Sequence, residues 1–180
     1  MPGGWRAISA SADKTLKVWD LISGTEIRAL AGHTGGVSGV TVYPTVGGWR
    51  ALSESEDNTL SVWNLEAGQA VATLEGHFVG LWHGMAVYEG PDGPRVISAS
   101  RKGALVVWDL GSGKLVNELE QHSGVRAVTV YETNDGFRAF IGNSDGTVKV
   151  WDPWRTLDSQ ISTGHRSSVS AIFVYTEATA

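Results

Sequence analysis

Apolar residues come in short runs along this chain, and polar, turn-forming residues divide them. Residues 37–76 carry "VSGVTVY", "WRALSES", "TLSVW" and "AVATLEG", separated by "PTVGG", "EDN" and "LEAG". The runs are rich in Val, Thr, Leu and aromatic residues, which suit a pleated, half-buried surface, and the separators are turn chemistry. No window of about 11 residues sustains a helical periodicity. The pattern predicts four short strands in about 44 residues and no helix.

The same pattern returns along the whole chain. Trp19, Trp63, Trp108 and Trp151 are spaced by 44, 45 and 43 residues, and His33, His77, His122 and His165 repeat those spacings. Tyr43, Tyr88, Tyr131 and Tyr175 form a third column, and Arg6, Arg50, Arg95 and Arg138 a fourth. A fixed period of this length marks a repeat array, and four strands per unit mark a propeller blade. The expected fold is all-β, a single array over 1–180 with repeat boundaries at 33/34, 77/78 and 122/123.

The recurring words carry a family resemblance. "GH" stands at 32–33, 76–77 and 164–165, with "QH" at 121–122; "WD" stands at 19–20, 108–109 and 151–152, with "WN" at 63–64. In these dipeptides the chain resembles the WD40 repeat over essentially its full length. The resemblance implies blades whose strand after "GH" is innermost, next to the axis, and whose third strand ends in "WD".

Each unit also repeats Ser, His and Asp, the residue types of a hydrolase triad. In "SASADKTLKVWD" (9–20), Ser9 and Trp19 lie symmetrically about Lys14, which predicts that they face each other, within a residue, across a hairpin. The hydroxyl then meets the indole N–H, a donor that needs a partner when buried. Asp13 lies in the turn, at the end of the blade that carries the preceding histidine, and such an Asp–His–Ser–Trp network is a known feature of WD40 proteins. By columns the expected sets are His165, Ser9, Asp13 and Trp19; His33, Ser53, Asp57 and Trp63; His77, Ser98 and Trp108, with Lys102 in the Asp position; and His122, Asp145 and Trp151, with Ile141 in the Ser position. A set copied in every unit, and degraded in two of them, reads as structural rather than catalytic. No catalytic, cofactor or metal residue is expected, since no glycine-rich phosphate loop is present and the histidines come one per blade.

Composition limits the partners. The net charge is -5, the pI about 5.5, and no Lys/Arg run exceeds two residues. Nucleic acid and anionic membrane are therefore not expected. Cysteine is absent, as is any signal-peptide pattern or apolar run of membrane-spanning length, so the expected location is cytoplasmic. The expected function is a noncatalytic scaffold for a protein or peptide. A cluster of candidate contact residues runs from the third unit into the fourth: Phe78, Trp82, His83, Arg101, Lys102 and Arg126, a set suited to an acidic or phosphorylated peptide. The Arg column reads as solvated turn charges, Trp5 and Trp49 as cover for the blade surface, and Trp154 as exposed.

Residues 1–33 supply three strands of a unit, and "RSSVSAIFVY" (166–175) matches the missing first strand, "TGGVSGVTVY" (34–43). The segment 166–180 is therefore expected to complete the blade begun by 1–33. Exchange of these ends between two chains gives an eight-bladed homodimeric ring; a piece of a longer WD40 array and a closed four-bladed monomer are the alternatives.

Overall fold

The computed structural model describes residues 4–75, 84–99, 104–120, 124–152, 158–161, 165–172 and 174. The chain divides into two compact units, Met1–Leu81 and Trp82–Ala180. Among the described residues there are fifteen strands in four antiparallel sheets. Among the described residues there is no helix long and apolar enough to cross a membrane.

In the first unit, sheet one holds β1 (Arg6–Ala10), β2 (Thr15–Asp20) and β3 (Glu26–Ala31) in chain order. Sheet two holds β4 (Val37–Thr45), β5 (Gly48–Ser55), β6 (Thr59–Asn64) and β7 (Gln69–Glu75). Both are meanders, the simplest outcome for short strands joined by tight turns. Leu16, Val18 and Leu30 from sheet one pack with Val37, Ala51 and Trp63 from sheet two, all buried. The second sheet is tied to the first where it begins, as the Val37 N–H donates to the Ser11 carbonyl at 3.0 Å.

In the second unit, sheet three holds β8 (Met85–Gly90), β9 (Gly93–Ala99), β10 (Ala104–Asp109) and β11 (Leu115–Glu120). Sheet four holds β12 (Val125–Thr133), β13 (Gly136–Asn143), β14 (Val148–Trp151) and β15 (Asp158–Ile161). Tyr88, Ile97, Leu105 and Val107 pack with Val125, Val128, Ala139, Ile141 and Trp151. Ile141, which replaces the serine of its column, is fully buried in this apolar cluster. The described residues 165–172 form no strand. They lie on sheet four, with the Val169 N–H donating to the Asn143 carbonyl at 3.0 Å.

The hairpins are off-centre from the sequence expectation. Ser9 pairs with Lys17 and Trp19 with Ala7, so Ser9 and Trp19 are diagonal neighbours two positions apart rather than facing within one. The cause is the turn. Ser11 N–H bonds to Thr15 O at 3.1 Å, which leaves a loop of residues 12–14 centred on Asp13, with Lys14 left-handed at φ 74. This is a three-residue hairpin loop closed by a left-handed residue. Asn58 (φ 66) and Gly146 (φ 84) hold the same place in sheets two and four.

Candidate functional site

Sheet two contains the complete network. His33 arrives from the loop before β4, and its Nδ1 lies 2.9 Å from the Asp57 carboxylate while its Nε2 lies 2.7 Å from the Ser53 hydroxyl. The Trp63 indole donates to that same oxygen at 2.8 Å. Asp57 also accepts from the Thr34 N–H at 2.8 Å and from the Thr59 hydroxyl at 2.7 Å. Burial alone would raise the Asp57 carboxyl, but these donors together with His33 hold it well below the usual carboxylate range. With the carboxylate accepting at Nδ1, Nε2 accepts from Ser53, whose oxygen accepts from the indole. The order of atoms is that of a hydrolase triad. Ser53, however, is fully buried and its hydroxyl is engaged on both sides, so no substrate carbonyl can reach it. The geometry ties a turn to a core tryptophan.

The other sets are partial. In sheet one, Trp19 donates to Ser9 at 2.9 Å, and Asp13 accepts from the Thr15 hydroxyl at 2.6 Å. His165 belongs to the second unit, where it is exposed. In sheet three, Ser98 and Trp108 are buried, yet among the described residues the indole Nε1 of Trp108 has no hydrogen-bond partner. In sheet four, Asp145 accepts from the Thr147 hydroxyl at 2.6 Å, and Trp151 is buried beside Ile141. His77, His122 and Lys102 lie outside the described residues.

Of the candidate contact residues, Phe78, Trp82, His83, Arg101 and Lys102 lie outside the described residues, as does Trp154. Arg126 is described, and it occupies a β-bulge, since the β12–β13 register slips between Val125 and Ala127. Ser38, its counterpart in sheet two, occupies the same bulge between Val37 and Gly39. A bulge re-aims a side chain out of the ladder. Ser38 turns its hydroxyl to the Glu54 carboxyl at 3.2 Å. Glu54 is buried, and burial pushes its carboxyl up to about 7 against the opposing pull of Ser38. The equivalent positions carry Ala10, Ala99 and Gly142, so Glu54 was visible in the sequence as the one ionisable residue in a column of small ones.

The arginine column corrects a second expectation. Three of its four members, Arg6, Arg95 and Arg138, are paired with carboxylates rather than simply solvated. Arg6 pairs with Asp20, Arg138 with Asp152 at 3.2 Å, and Arg95 with Asp109 at 3.9 Å and Asp92 at 3.6 Å. Arg and Asp are cross-strand partners in the register, which places them opposite each other. The constant separation of fourteen residues was the signal that could have found them. Each aspartate described at both oxygens serves two purposes. Asp20 Oδ1 accepts the N–H groups of Ile22 and Ser23, and its other oxygen takes Arg6. The N–H donors of Ser23 and Ile22, then Arg6, hold its carboxyl at about 2. Trp5 and Trp49, expected as cover, are 80% and 54% exposed.

Comparison with known proteins agrees with the recurring words. The family model described as "WD domain, G-beta repeat" matches residues 3–20, 24–64 and 113–152, more than half of the chain. A 34-residue segment is 56% identical to F-box/WD repeat-containing protein 7 of Drosophila melanogaster, covering 19% of this chain and 3% of that protein. A 44-residue segment is 41% identical to nuclear distribution protein PAC1-2 of Postia placenta, covering 24% of this chain and 10% of that protein. The matched segments thus span a tenth or less of these relatives' length.

Proposed function

The chain belongs to the WD domain, G-beta repeat family, and from that premise we propose that it is a noncatalytic scaffold for protein or peptide binding that self-associates by exchanging terminal strands. One observation carries the self-association. Among the described residues sheet one has three strands, with β1 at its edge, and the segment after His165 begins on sheet four as β4 begins on sheet one. Val37 and Val169 occupy the same column, both are buried, and each donates its N–H to the carbonyl that closes the preceding hairpin. In the proposed dimer, residues 166–175 of a second chain pair with β1, and the second chain's His165 joins Ser9 and Asp13. Exposed strand edges favour such pairing. Two chains of four sheets then make an eight-bladed ring.

Light scattering tests this directly. The expected mass is twice 19.2 kDa, and a monomer at micromolar concentration overturns the exchange. Partner binding is assigned to the bulged column of Ser38 and Arg126 together with Phe78, Trp82, His83, Arg101 and Lys102, for an acidic or phosphorylated peptide. Changing Arg101, Lys102 and Arg126 to Glu abolishes capture of a phosphopeptide on this reading, and unchanged capture refutes it. The short span of the matched relatives favours one second reading: the chain is part of a longer WD40 array whose further residues supply the missing strand.

A further inference from the structure

Three of the four arginines in the column have a carboxylate, and Arg50 does not. Its cross-strand partner is Asn64. The Asn64 side-chain oxygen still accepts the N–H groups of Glu66 and Ala67, at 2.9 and 3.0 Å, as Asp20 Oδ1 does in sheet one. The second oxygen of the aspartate has become an amide NH₂, which donates and carries no charge. Among the described residues, Arg50 Nη1 is correspondingly buried without a hydrogen bond and Arg50 forms no ion pair.

Sheet three shows what is missing. Arg95 has carboxylates on two sides: Asp109 at the end of β10, and Asp92 in the turn between β8 and β9. Both counterparts are vacated around Arg50, by Asn64 and by Gly47. The two seats differ in access. Asp109 lies within the sheet, whereas Asp92 is 84% exposed and approaches its arginine from solvent. At Gly47 a side chain would start 3.8 Å from Arg50 Nη2, so the vacated outer seat opens directly onto the guanidinium. The neighbours of Gly47 in the chain include two exposed apolar side chains, Val46, fully exposed, and Trp49, 54% exposed. The Thr45 hydroxyl lies 4.0 Å from the same starting point. The one acidic side chain of the following turn, Glu66, lies over Gly48 instead.

We propose that Arg50, through the seat opened by Gly47, receives the carboxylate of an Asp or Glu on an extended partner segment, with apolar neighbours of that residue resting on Val46 and Trp49. Charge complementarity selects the occupant, because sheet three fills the same seat with a carboxylate of its own, Asp92. The site is separate from the strand exchange and from the bulged column, and it stands whether or not the chain dimerises.

The test uses two tripeptide probes, acetyl-Leu-Asp-Leu-amide and acetyl-Leu-Asn-Leu-amide, titrated into the full chain. The Arg50 Nε–H and Trp49 indole resonances are followed by nitrogen-15 NMR. The aspartyl probe is expected to shift both, with half-saturation at a concentration at least about threefold lower than the asparaginyl probe, the size of an exposed ion pair. Gly47→Asp supplies the carboxylate internally and reproduces the Asp-Gly turns at 92–93 and 135–136, so it folds. It should remove the preference, as should Arg50→Gln. Equal half-saturation by the two probes, no shift from the aspartyl probe up to its solubility limit, or a preference that survives Gly47→Asp overturns the proposal.

Discussion

Sheets one and two carry nearly the same words, "SASADKTLKVWD" and "SESEDNTLSVWN", and end in different states. In sheet two, Ser53 and Trp63 are buried under β4 and His33. In sheet one, Ser9 is exposed and Trp19 half-buried, although the bond between them has almost the same length, 2.9 against 2.8 Å. Lys17, which pairs with Glu26 at 2.7 Å, stands 5.8 Å over the Trp19 ring. The pieces that complete sheet two, an inner strand and a histidine, both precede its hairpin in the chain. The hairpin motif by itself therefore makes only the Ser–Trp bond. The network is a consequence of burial by a neighbour, not of the motif.

The largest expected effect breaks that comparison at its centre. Ser53→Ala leaves the Trp63 N–H and His33 Nε2 buried without partners and should cost about 2 to 4 kcal/mol. Ser9→Ala exposes the Trp19 N–H to water, which replaces the lost hydroxyl, and should cost below about 1 kcal/mol. Urea unfolding of the two variants measures the difference. Equal losses would mean that burial does not govern the network. In a sample shown to be dimeric, the proposed strand exchange requires the Ser9 loss to rise toward that of Ser53.

How far the sequence reached follows from the same physics. Strand content, the repeat columns and the Ser–His–Asp–Trp grouping of sheet two were legible because period and residue type survive without coordinates. The hairpin register was not, because the left-handed residue at 14 moves the centre of the loop by one and the pairing of the strands by two. The Arg–Asp pairs had a constant spacing to announce them, but which face of a strand each residue occupies depends on that register. Glu54 stood out by type, and only the fold shows that it is buried.

The next effect separates the sheets by pH. Sheet one has Ala10 where sheet two has Glu54, whose carboxyl rises by burial from 4.5 to about 7. A raised carboxyl binds its proton more tightly folded than unfolded, so the stability it contributes is full below pH 4.5 and is lost as pH rises to 7. That loss amounts to at most about 3 kcal/mol. Glu54→Gln keeps a partner for Ser38 and carries no charge, so its stability should stay level across this window while the parent declines. A parent curve that is flat between pH 4.5 and 7 would remove Glu54 as a buried acid. Asp57 has the opposite sign: its carboxyl lies below the usual range, and its stabilising contribution is lost as pH falls into acid.

Asn64→Asp makes sheet two resemble sheet one at the Arg50 position. The new oxygen faces a guanidinium that forms no ion pair among the described residues, while the oxygen that caps the turn is retained. Partial exposure limits the gain to about 1 kcal/mol. The gain should shrink in high salt, and it should vanish in the Arg50→Gln background. A gain of equal size in that background would mean that the charge pair is not its source.

The smallest effect exchanges the turn residues. Lys14 and Asn58 hold the same left-handed conformation, at φ 74 and 66, which asparagine tolerates better than lysine. Lys14→Asn should therefore stabilise by about 0.5 kcal/mol, and Asn58→Lys should destabilise by a similar amount. Backbone strain in an exposed turn does not depend on what covers the adjoining sheet, so the two changes should be nearly equal and opposite. That symmetry gives the serine comparison its control. If the turn exchange is also much weaker in sheet one, then β1–β3 opens before the rest of the first unit, and the small loss in Ser9→Ala reports local opening rather than access of water to the indole. Hydrogen exchange of the Ser11 N–H, bonded to Thr15 O, against its counterparts in sheet two distinguishes the two cases.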